Sequence, residues 1–551
     1  MSCACKNPFN HDVPVENTPM VNVQIDGEWV QVPKGMNVVA AAERFQKHIP
    51  HYCYHPKLSV VGNCRMCLIE MGTPKMDANR QPILAADGKP EIAWMPRPQI
   101  GCATQVSEGM GIRTESPLVQ ECRKGVMEFL LINHPLDCPI CDQAGECKLQ
   151  EYSFEHGQAN SRFTEEKVKK PKNVDIGERI VLDDERCVMC SRCIRFSKEF
   201  VKDDVLGFTE RGSHTTLTVY PGKRFDNNYS LNTVDICPVG ALTSKDFRFK
   251  MRVWFLKETK SICTGCATGC NVLIGSREKE VHRLTPRENE EVNSLWMCDS
   301  GRLGFHHIHD ENRLTTPLVN GEKSDWSTAM SKLAHQLKNF QSNQIAIIAS
   351  ARMTNEELYL LSELRKSLGG DSILSDIVGR TGDADNILRN ADKNPNTKGA
   401  QLFGFANNGK LKEIQAGLTN GSIQALLIFN ESAAEAGLSL EALKNVPLVV
   451  NVGMRLNGAA HFNFPSASFA EKRGTLINFQ NRLQRLNRAI PTPGQSRDDW
   501  EIIRDIKAAI GGGNGIHSVE ELFKAMASSV PAFKDLTLGK VGDLGVVLNL
   551  G

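Results

Sequence analysis

The run Asp183-Asp184-Glu185-Arg186-Cys187-Val188-Met189-Cys190-Ser191-Arg192-Cys193-Ile194-Arg195 decides how this chain is read. Three thiols at three-residue steps can wrap one face of a metal–sulfur cubane. Far downstream, Cys237-Pro238 offers a fourth thiol, and the proline keeps the chain from continuing as helix. This is the bacterial ferredoxin style of [4Fe–4S] ligation. The motif is not repeated, so it predicts one cubane here. Arg192 and Arg195 flank it. Either their charge favours a reduced centre, or they are solvated surface arginines.

Working outward, the 551-residue chain carries 18 cysteines, and none follows Cys298. A secreted disulfide framework is small and dense throughout. Cysteines confined to the N-terminal half of a long chain point to metal ligation in a reducing compartment. Upstream, Cys53, Cys64, Cys67 and Cys102 have the spacing C-x10-C-x2-C-x34-C, three thiols in a short loop and one far away. That pattern suits a two-iron cluster, with zinc as the alternative. Before it, Val21, Val23 and Ile25 alternate, Asp26-Gly27 reads as a hairpin turn, and a second strand runs to Val32. Asn37 can cap a helix with Val38, Ala41, Ala42 and Phe45 on one face. A strand at Met66–Met71 follows the Cys loop. Two strands, a helix and a Cys loop resemble the β-grasp ferredoxin fold.

The run H-P-L-D-C-P-I-C-D-Q-A-G-E-C supplies His134, Cys138, Cys141 and Cys147. One neutral imidazole in place of a thiolate makes a cluster less negative and raises its potential. The bland reading is an incidental histidine. A fourth set, Cys263, Cys266, Cys270 and Cys298, is spaced C-x2-C-x3-C-x27-C, again fit for a cubane or a structural zinc. Cys3 and Cys5 sit in an N-terminal tail with no visible partner. Cys122, at helical spacing with Val119, Val126 and Phe129, reads as a core thiol.

Hydrophobic residues make up 41% and charged residues 23%, ordinary for a globular chain of about three or four domains. A net charge of +1 gives no global basic field for nucleic acid. No apolar run reaches the ~18 residues of a spanning helix, and Met1–Pro14 has no apolar h-region, so neither a span nor a signal peptide is expected. Any membrane link would run through partners.

The C-terminal half alternates strand and helix. Gln344–Ser350 reads as a strand, and Thr354-Asn355-Glu356-Glu357 as a capping box. A helix then runs through Leu368 to Gly369-Gly370. Ala425–Phe429 and Leu448–Val452 read as buried strands, which predicts a doubly wound α/β unit. His306, His307 and His309 read as surface residues. There is no P-loop, and Gly404 and Gly409 do not form G-x-G-x-x-G. No nucleotide-binding motif, and so no hydride site, is read in this chain.

Asn133-His134-Pro135-Leu136-Asp137-Cys138-Pro139, the run 183–195 and Asp235-Ile236-Cys237-Pro238-Val239-Gly240-Ala241-Leu242 together resemble one family. It is the large iron–sulfur subunit, of the 75-kDa type, of respiratory complex I, NADH:quinone oxidoreductase. The resemblance covers about residues 20–315 with every ligand position filled. The segment Gly72 to Ile100 looks like an insertion that this family carries. Ser350 to Glu357, Cys298-Asp299-Ser300-Gly301-Arg302, Leu314-Thr315-Thr316-Pro317 and Ala470 to Gln484 resemble the molybdopterin oxidoreductase superfamily.

These resemblances imply a multidomain α+β and α/β protein. The expected parts are a tail over 1–19, a [2Fe–2S] β-grasp domain over 20–103 and a His-Cys3 [4Fe–4S] domain over 104–150. A [4Fe–4S] ferredoxin-like domain over 151–258, a third [4Fe–4S] domain of Mo/W-oxidoreductase type over 259–315 and a degenerate molybdopterin-oxidoreductase-like domain over 316–551 complete the chain. They imply one [2Fe–2S] and three [4Fe–4S] clusters and no catalytic residue in this chain. The third cubane is present only in some members. Electrons would pass singly from a flavin-bearing partner with its own [2Fe–2S] companion, through the Cys53, Cys187 and His134 sets, to a ferredoxin-like partner and quinone. The implied place is the cytoplasmic side of a bacterial inner membrane, or the matrix side of a mitochondrial one. No Mo or W centre is expected: no Cys follows Cys298, and Ser300 stands where catalytic relatives carry Lys. The alternative is the catalytic chain of an NAD-linked Mo/W formate dehydrogenase; a zinc-bearing scaffold is a third reading.

Overall fold

The computed structural model describes residues 18–405, 409–511, 513 and 515–550. Cys3 and Cys5 lie outside the described residues. The chain divides into two compact units, Met1–Trp254 and Phe255–Gly551.

The first unit opens on an antiparallel hairpin of β1 (Met20–Ile25) and β2 (Glu28–Pro33). Asp26 and Gly27 turn it with φ of 48° and 89°, the pair of positive values that a twisted two-residue hairpin needs. The Asp26 carboxylate accepts from Thr114 N and Thr114 Oγ1, both at 2.6 Å. Alternation along β1 buries Val21, Val23 and Ile25. The Asn37 side chain accepts from Ala40 N at 2.9 Å and so caps α1 (Val38–Glu43). The helix buries Val38, Val39, Ala41 and Ala42. Phe45, expected on that face, lies past the helix end and is exposed. Then come β3 (Leu68–Pro74), β4 (Ile92–Trp94), β5 (Gln99–Ile100) and β6 (Gly111–Arg113). The sheet order is β2-β1-β6-β3-β4, with β5 on β3 and β6 parallel to β1. A parallel return across a helix is the β-grasp arrangement.

Ser116 caps α2 (Pro117–Leu131), accepting from Val119 N at 3.3 Å, with Pro117 at the first helical position. The helix buries Val119, Arg123 and Met127. This corrects the expected stripe: Cys122 is only half-buried and Phe129 is 79% exposed. Arg123 turns inward because its guanidinium reaches the Leu68 carbonyl at 3.4 Å, while its stem packs as an apolar chain. The next helix, α3 (Lys148–His156), starts directly after Cys147 and buries Leu149 and Tyr152. Farther on, strand Leu242–Ser244 pairs antiparallel with Ile180–Leu182, Leu242 opposite Leu182. That pairing returns Cys237-Pro238 to the loop that begins at Cys187. Within that loop starts α4 (Arg192–Arg195), which runs on as a π-helix over Phe196–Val201.

The second unit begins with an antiparallel meander, Lys257–Ile262, Asn271–Arg277 and Glu280–Pro286. Its main sheet has seven strands. Five of them run parallel in the spatial order Phe462–Pro465, Leu448–Gly453, Ala425–Phe429, Ile345–Ala349, Leu374–Ile377. The first strand in sequence sits between the second and the third, the doubly wound pattern. Ala425–Phe429 and Leu448–Gly453 are buried throughout, as parallel strands covered on both faces must be. The capping box forms as expected: Glu357 N donates to Thr354 Oγ1 at 3.3 Å and Thr354 N donates to Glu357 Oε2 at 2.8 Å. No described helix is long and apolar enough to cross a membrane.

Candidate metal centres

The first set occupies the turn after α1 and the ends of β3 and β5. Cys53, Cys67 and Cys102 are buried and Cys64 half-buried. Their sulfurs are mutual hydrogen-bond neighbours: Cys53 with Cys102 and Cys64, and Cys67 with Cys102. The Cys53 N–H donates to Cys64 Sγ at 3.5 Å. This crowding and burial push the Cys64 and Cys102 thiols up. Four crowded thiols do not all ionise in an apolar site unless a cation joins them, as iron would.

In the third set, Cys190 is buried and Cys187, Cys193 and Cys237 are half-buried. All four line one small cavity with Phe208, Leu217 and Val239. Burial and the neighbouring thiols push Cys187 and Cys193 well up. Burial pushes Cys237 up to about 11, and backbone hydrogen bonds at Val239, Leu242 and Ala241 oppose it.

The second set comes from the turn between α2 and α3. Cys138 is exposed, Cys141 buried and Cys147 half-buried, and each of the latter two feels the charge of Cys138. Burial takes His134 down to about 4, so its imidazole is neutral at physiological pH and able to ligate. Asp137 and Arg186 act on both His134 and Cys141. Arg186 Nη2 donates to Asp137 Oδ2 at 2.7 Å, and that pair places the histidine and the thiol beside the same charges. A Cβ on Gly240 would stand 2.3 Å from Cys141 Sγ, so only glycine lets this thiol approach.

Six ligand candidates of these three sets share one apolar core. Cys53 and Cys190 belong to it with Tyr52, Met127 and Tyr152, and Cys64, Cys147, Cys187 and Cys237 pack against it. The Tyr52 and Tyr152 rings stand edge to face at 5.3 Å, and the Tyr52 hydroxyl donates to Met127 Sδ at 3.3 Å. Tyr52, Met127 and Tyr152 are each at most 3% exposed, so this shared core is closed off by largely apolar side chains.

The fourth set belongs to the second unit. Cys263 follows the meander's first strand, Cys270 precedes its second, and Cys263 N donates to Cys270 O at 2.7 Å. Cys298 caps helix Asp299–Arg302, its Sγ accepting from Gly301 N at 3.3 Å. Ser300 Oγ lies 3.4 Å from that sulfur. A Cβ on Gly301 would stand 3.0 Å from Cys263 Sγ and 3.2 Å from Cys298 Sγ, a tight fit that favours glycine beside these two thiols. His306, His307 and His309 are exposed, and His309 Nε2 accepts from Val281 N at 3.0 Å.

Among the described residues, no group of three or more His, Cys, Asp or Glu is arranged to hold a single metal ion. Cluster ligands need not converge on one point, because each binds its own iron in a cubane. The sequence leaves Arg195 with an exposed alternative; the structure buries it, with its guanidinium on the Cys53 and Cys190 carbonyls. The signal is its place one helical turn after Ser191, which turns it back over its own loop.

Family models match five stretches of the chain. They are a 2Fe-2S iron-sulfur cluster binding domain over 18–117, and an NADH-ubiquinone oxidoreductase-G iron-sulfur binding region over 123–162. The ferredoxin-like domain of NADH-quinone oxidoreductase subunit 3 matches 177–243, and an NADH-ubiquinone oxidoreductase NDSU1/NuoG-like 4Fe-4S domain matches 256–306. Molybdopterin oxidoreductase matches 372–509. The order of parts is therefore a 2Fe-2S ferredoxin domain, 4Fe-4S domains and a molybdopterin-oxidoreductase-like domain. Among curated relatives, the G subunit of the NADH-quinone oxidoreductase of Rickettsia felis is 40% identical over 357 residues, 64% of this chain and 50% of that protein. NADH-quinone oxidoreductase subunit 3 of Thermus thermophilus is 38% identical over 380 residues, 66% of this chain and 48% of that protein. The chain spans about half the length of these relatives. A solved chain from the crystal structure of NAD+-reducing [NiFe]-hydrogenase in the H2-reduced state is 25% identical, covering 42% of this chain and 91% of that one at a TM-score of 0.35.

Proposed function

We propose that this chain, similar over 64% of its length to the G subunit of an NADH-quinone oxidoreductase, is the iron–sulfur electron-transfer subunit of a proton-pumping NADH:quinone oxidoreductase. The observation that carries the reading is the single apolar core shared by thiols of three separate cysteine sets. Electron transfer without bond making needs closely spaced centres in a dry medium, and no hydride site.

In this reading one [2Fe–2S] cluster sits on Cys53, Cys64, Cys67 and Cys102. Three [4Fe–4S] clusters sit on His134, Cys138, Cys141 and Cys147, on Cys187, Cys190, Cys193 and Cys237, and on Cys263, Cys266, Cys270 and Cys298. When bound, they supply one-electron redox centres. The chain's own residues do the rest. Tyr52, Met127 and Tyr152 exclude water, neutral His134 leaves its site one charge less negative, and Gly240 and Gly301 admit the sulfurs. The domains divide at 20–103, 104–150, 151–258, 259–315 and 316–551, after the 1–19 tail. The last carries no Mo or W centre, and the chain itself has no catalytic residue.

Its partners are a flavin-bearing NADH-oxidising subunit with its [2Fe–2S] companion, and ferredoxin-like and quinone-module subunits. It meets the membrane arm only indirectly and binds no nucleic acid. Beside exposed Cys138 lies a groove of about 770 Å³ lined by Leu136, Ile140 and Phe249 among charged Lys172, Arg186 and Arg252. Leu136 is 84% exposed, which supports a covering partner. The assembly faces the bacterial cytoplasm, or the matrix in a mitochondrion.

Cys190→Ala tests the reading. In the anaerobically purified complex it is expected to remove one reduced-cubane signal from the electron paramagnetic resonance spectrum, and with it NADH:quinone activity. Full activity with that signal gone would overturn the proposal.

A further inference from the structure

The loop 53–64 carries two ligand candidates of the first set, and it is held by residues of the third set's loop. Arg195 does most of this. Its Nη2 donates to the carbonyl of Cys53 and, at 3.3 Å, to the carbonyl of Cys190. Its Nη1 donates to the carbonyl of Ser59, and its Nε to Ser191 Oγ at 3.2 Å. One buried guanidinium thus spans a candidate ligand residue of each set. Arg192 repeats the pattern one turn earlier, with Nη2 on the Tyr54 carbonyl and Nη1 on the Ile236 carbonyl at 3.1 Å. Ile236 immediately precedes Cys237.

Two further contacts close the clasp. Glu199 accepts from Ser59 N at 2.9 Å and from Ser59 Oγ. Asn63 Nδ2 donates to the Met189 carbonyl at 3.0 Å. Arg192, Arg195 and Glu199 stand at i, i+3 and i+7, the spacing that puts side chains on one helical face, along α4 and its π-helical continuation. Several carbonyls at fixed directions call for the planar fork of arginine; the compact ammonium of lysine cannot reach them together.

We propose that Arg195, assisted by Arg192, is a positioning residue shared by the first and third cysteine sets: it fixes their separation and raises the reduction potentials of both centres at once. The inference rests on the cluster assignments proposed above. A reduced centre carries one more negative charge than its oxidised form. A buried cation near two such centres favours the reduced state of each, and low dielectric makes that preference larger than at a surface. Because the same guanidinium serves both, its effect on the two potentials is linked.

The test is a redox titration of both centres by electron paramagnetic resonance in the assembled complex, with iron content measured alongside. Arg195→Gln is expected to keep the iron and lower both midpoints, each by about tenfold in the reduction equilibrium, ~59 mV for a one-electron couple. Arg195→Lys keeps the charge and loses the fork. It is expected to restore most of the potential while changing the magnetic coupling between the two reduced centres. Lys198→Gln, on the same turn but 65% exposed at its side chain, should move neither midpoint. Two unmoved midpoints with iron retained in Arg195→Gln would overturn the proposal, as would a shift of one centre alone. Should Arg195→Gln lose iron, Arg192→Gln decides on the same criterion. Wild-type protein without the two iron centres would instead refute the cluster assignment itself.

Discussion

His134 is the residue at which ligand chemistry has its clearest consequence. A neutral imidazole leaves the site one charge less negative than four thiolates. His134→Cys should keep the cluster and lower its midpoint in a redox titration; an unchanged or raised midpoint would contradict the assignment. Gly240 makes a steric prediction at the same site. The added methyl of Gly240→Ala would stand 2.3 Å from Cys141 Sγ and 3.1 Å from Gln143 Cβ. About four irons should be lost per chain while the other centres keep their signals. An undiminished iron count would show that the thiol does not need that space. The sequence spacing names the ligand candidates, because thiolate geometry leaves few alternatives. It does not name Gly240 or Arg195, whose roles depend on which strand returns beside which loop.

At the scale of elements, the second unit is tied together by buried charge. Lys472 Nζ lies 2.8 Å from Glu357 Oε2 and 2.9 Å from Asp499 Oδ2, joining the helices Asn355–Leu368 and Asp499–Ala509 to the segment before strand Gly474–Ile477. Lys472→Met strands two buried carboxylates and should cost about 3–5 kcal/mol in thermal or denaturant unfolding. A loss below about 1 kcal/mol would mean the site relaxes around the change.

Next to this triad, Glu356 accepts from Thr475 N at 2.8 Å and from Thr475 Oγ1 at 2.9 Å, and burial pushes its carboxyl from 4.5 up to about 7. Below about pH 4.5 the folded and unfolded chains both hold this proton. As pH rises from there to about 7, the unfolded chain releases it first, so stability falls by about 3 kcal/mol at most. Glu356→Gln should therefore gain melting temperature over the wild type as pH rises from 5 to 7.5. A difference that does not change with pH would refute the assignment. The parallel strands and the capping box are legible in sequence because continuous apolar runs and Thr-x-x-Glu are local signals. The face of α2 is not. Placing apolar residues inward puts Phe129 in the core, whereas Arg123 occupies it through a bond to Leu68, an element far away in sequence.

Across the whole molecule, chemistry is loaded at one end of the chain and a large α/β sheet at the other. The candidate ligands stop at Cys298, and the five parallel strands that follow carry no thiol. The order of domains is legible because each cysteine motif is short and self-contained. The meeting of three sets in one core is not, since it depends on packing between α2, α3 and two loops. The central claim is that every set holds iron and the C-terminal domain holds no redox metal. The most direct test is the elemental content of the anaerobically purified complex, scanned together for iron, zinc, molybdenum and tungsten, with partner iron subtracted. About 14 iron atoms per chain without molybdenum or tungsten is the expected result. About ten would remove the fourth cluster, zinc in place of iron would make the sets structural, and stoichiometric molybdenum or tungsten would make this chain a dehydrogenase in its own right.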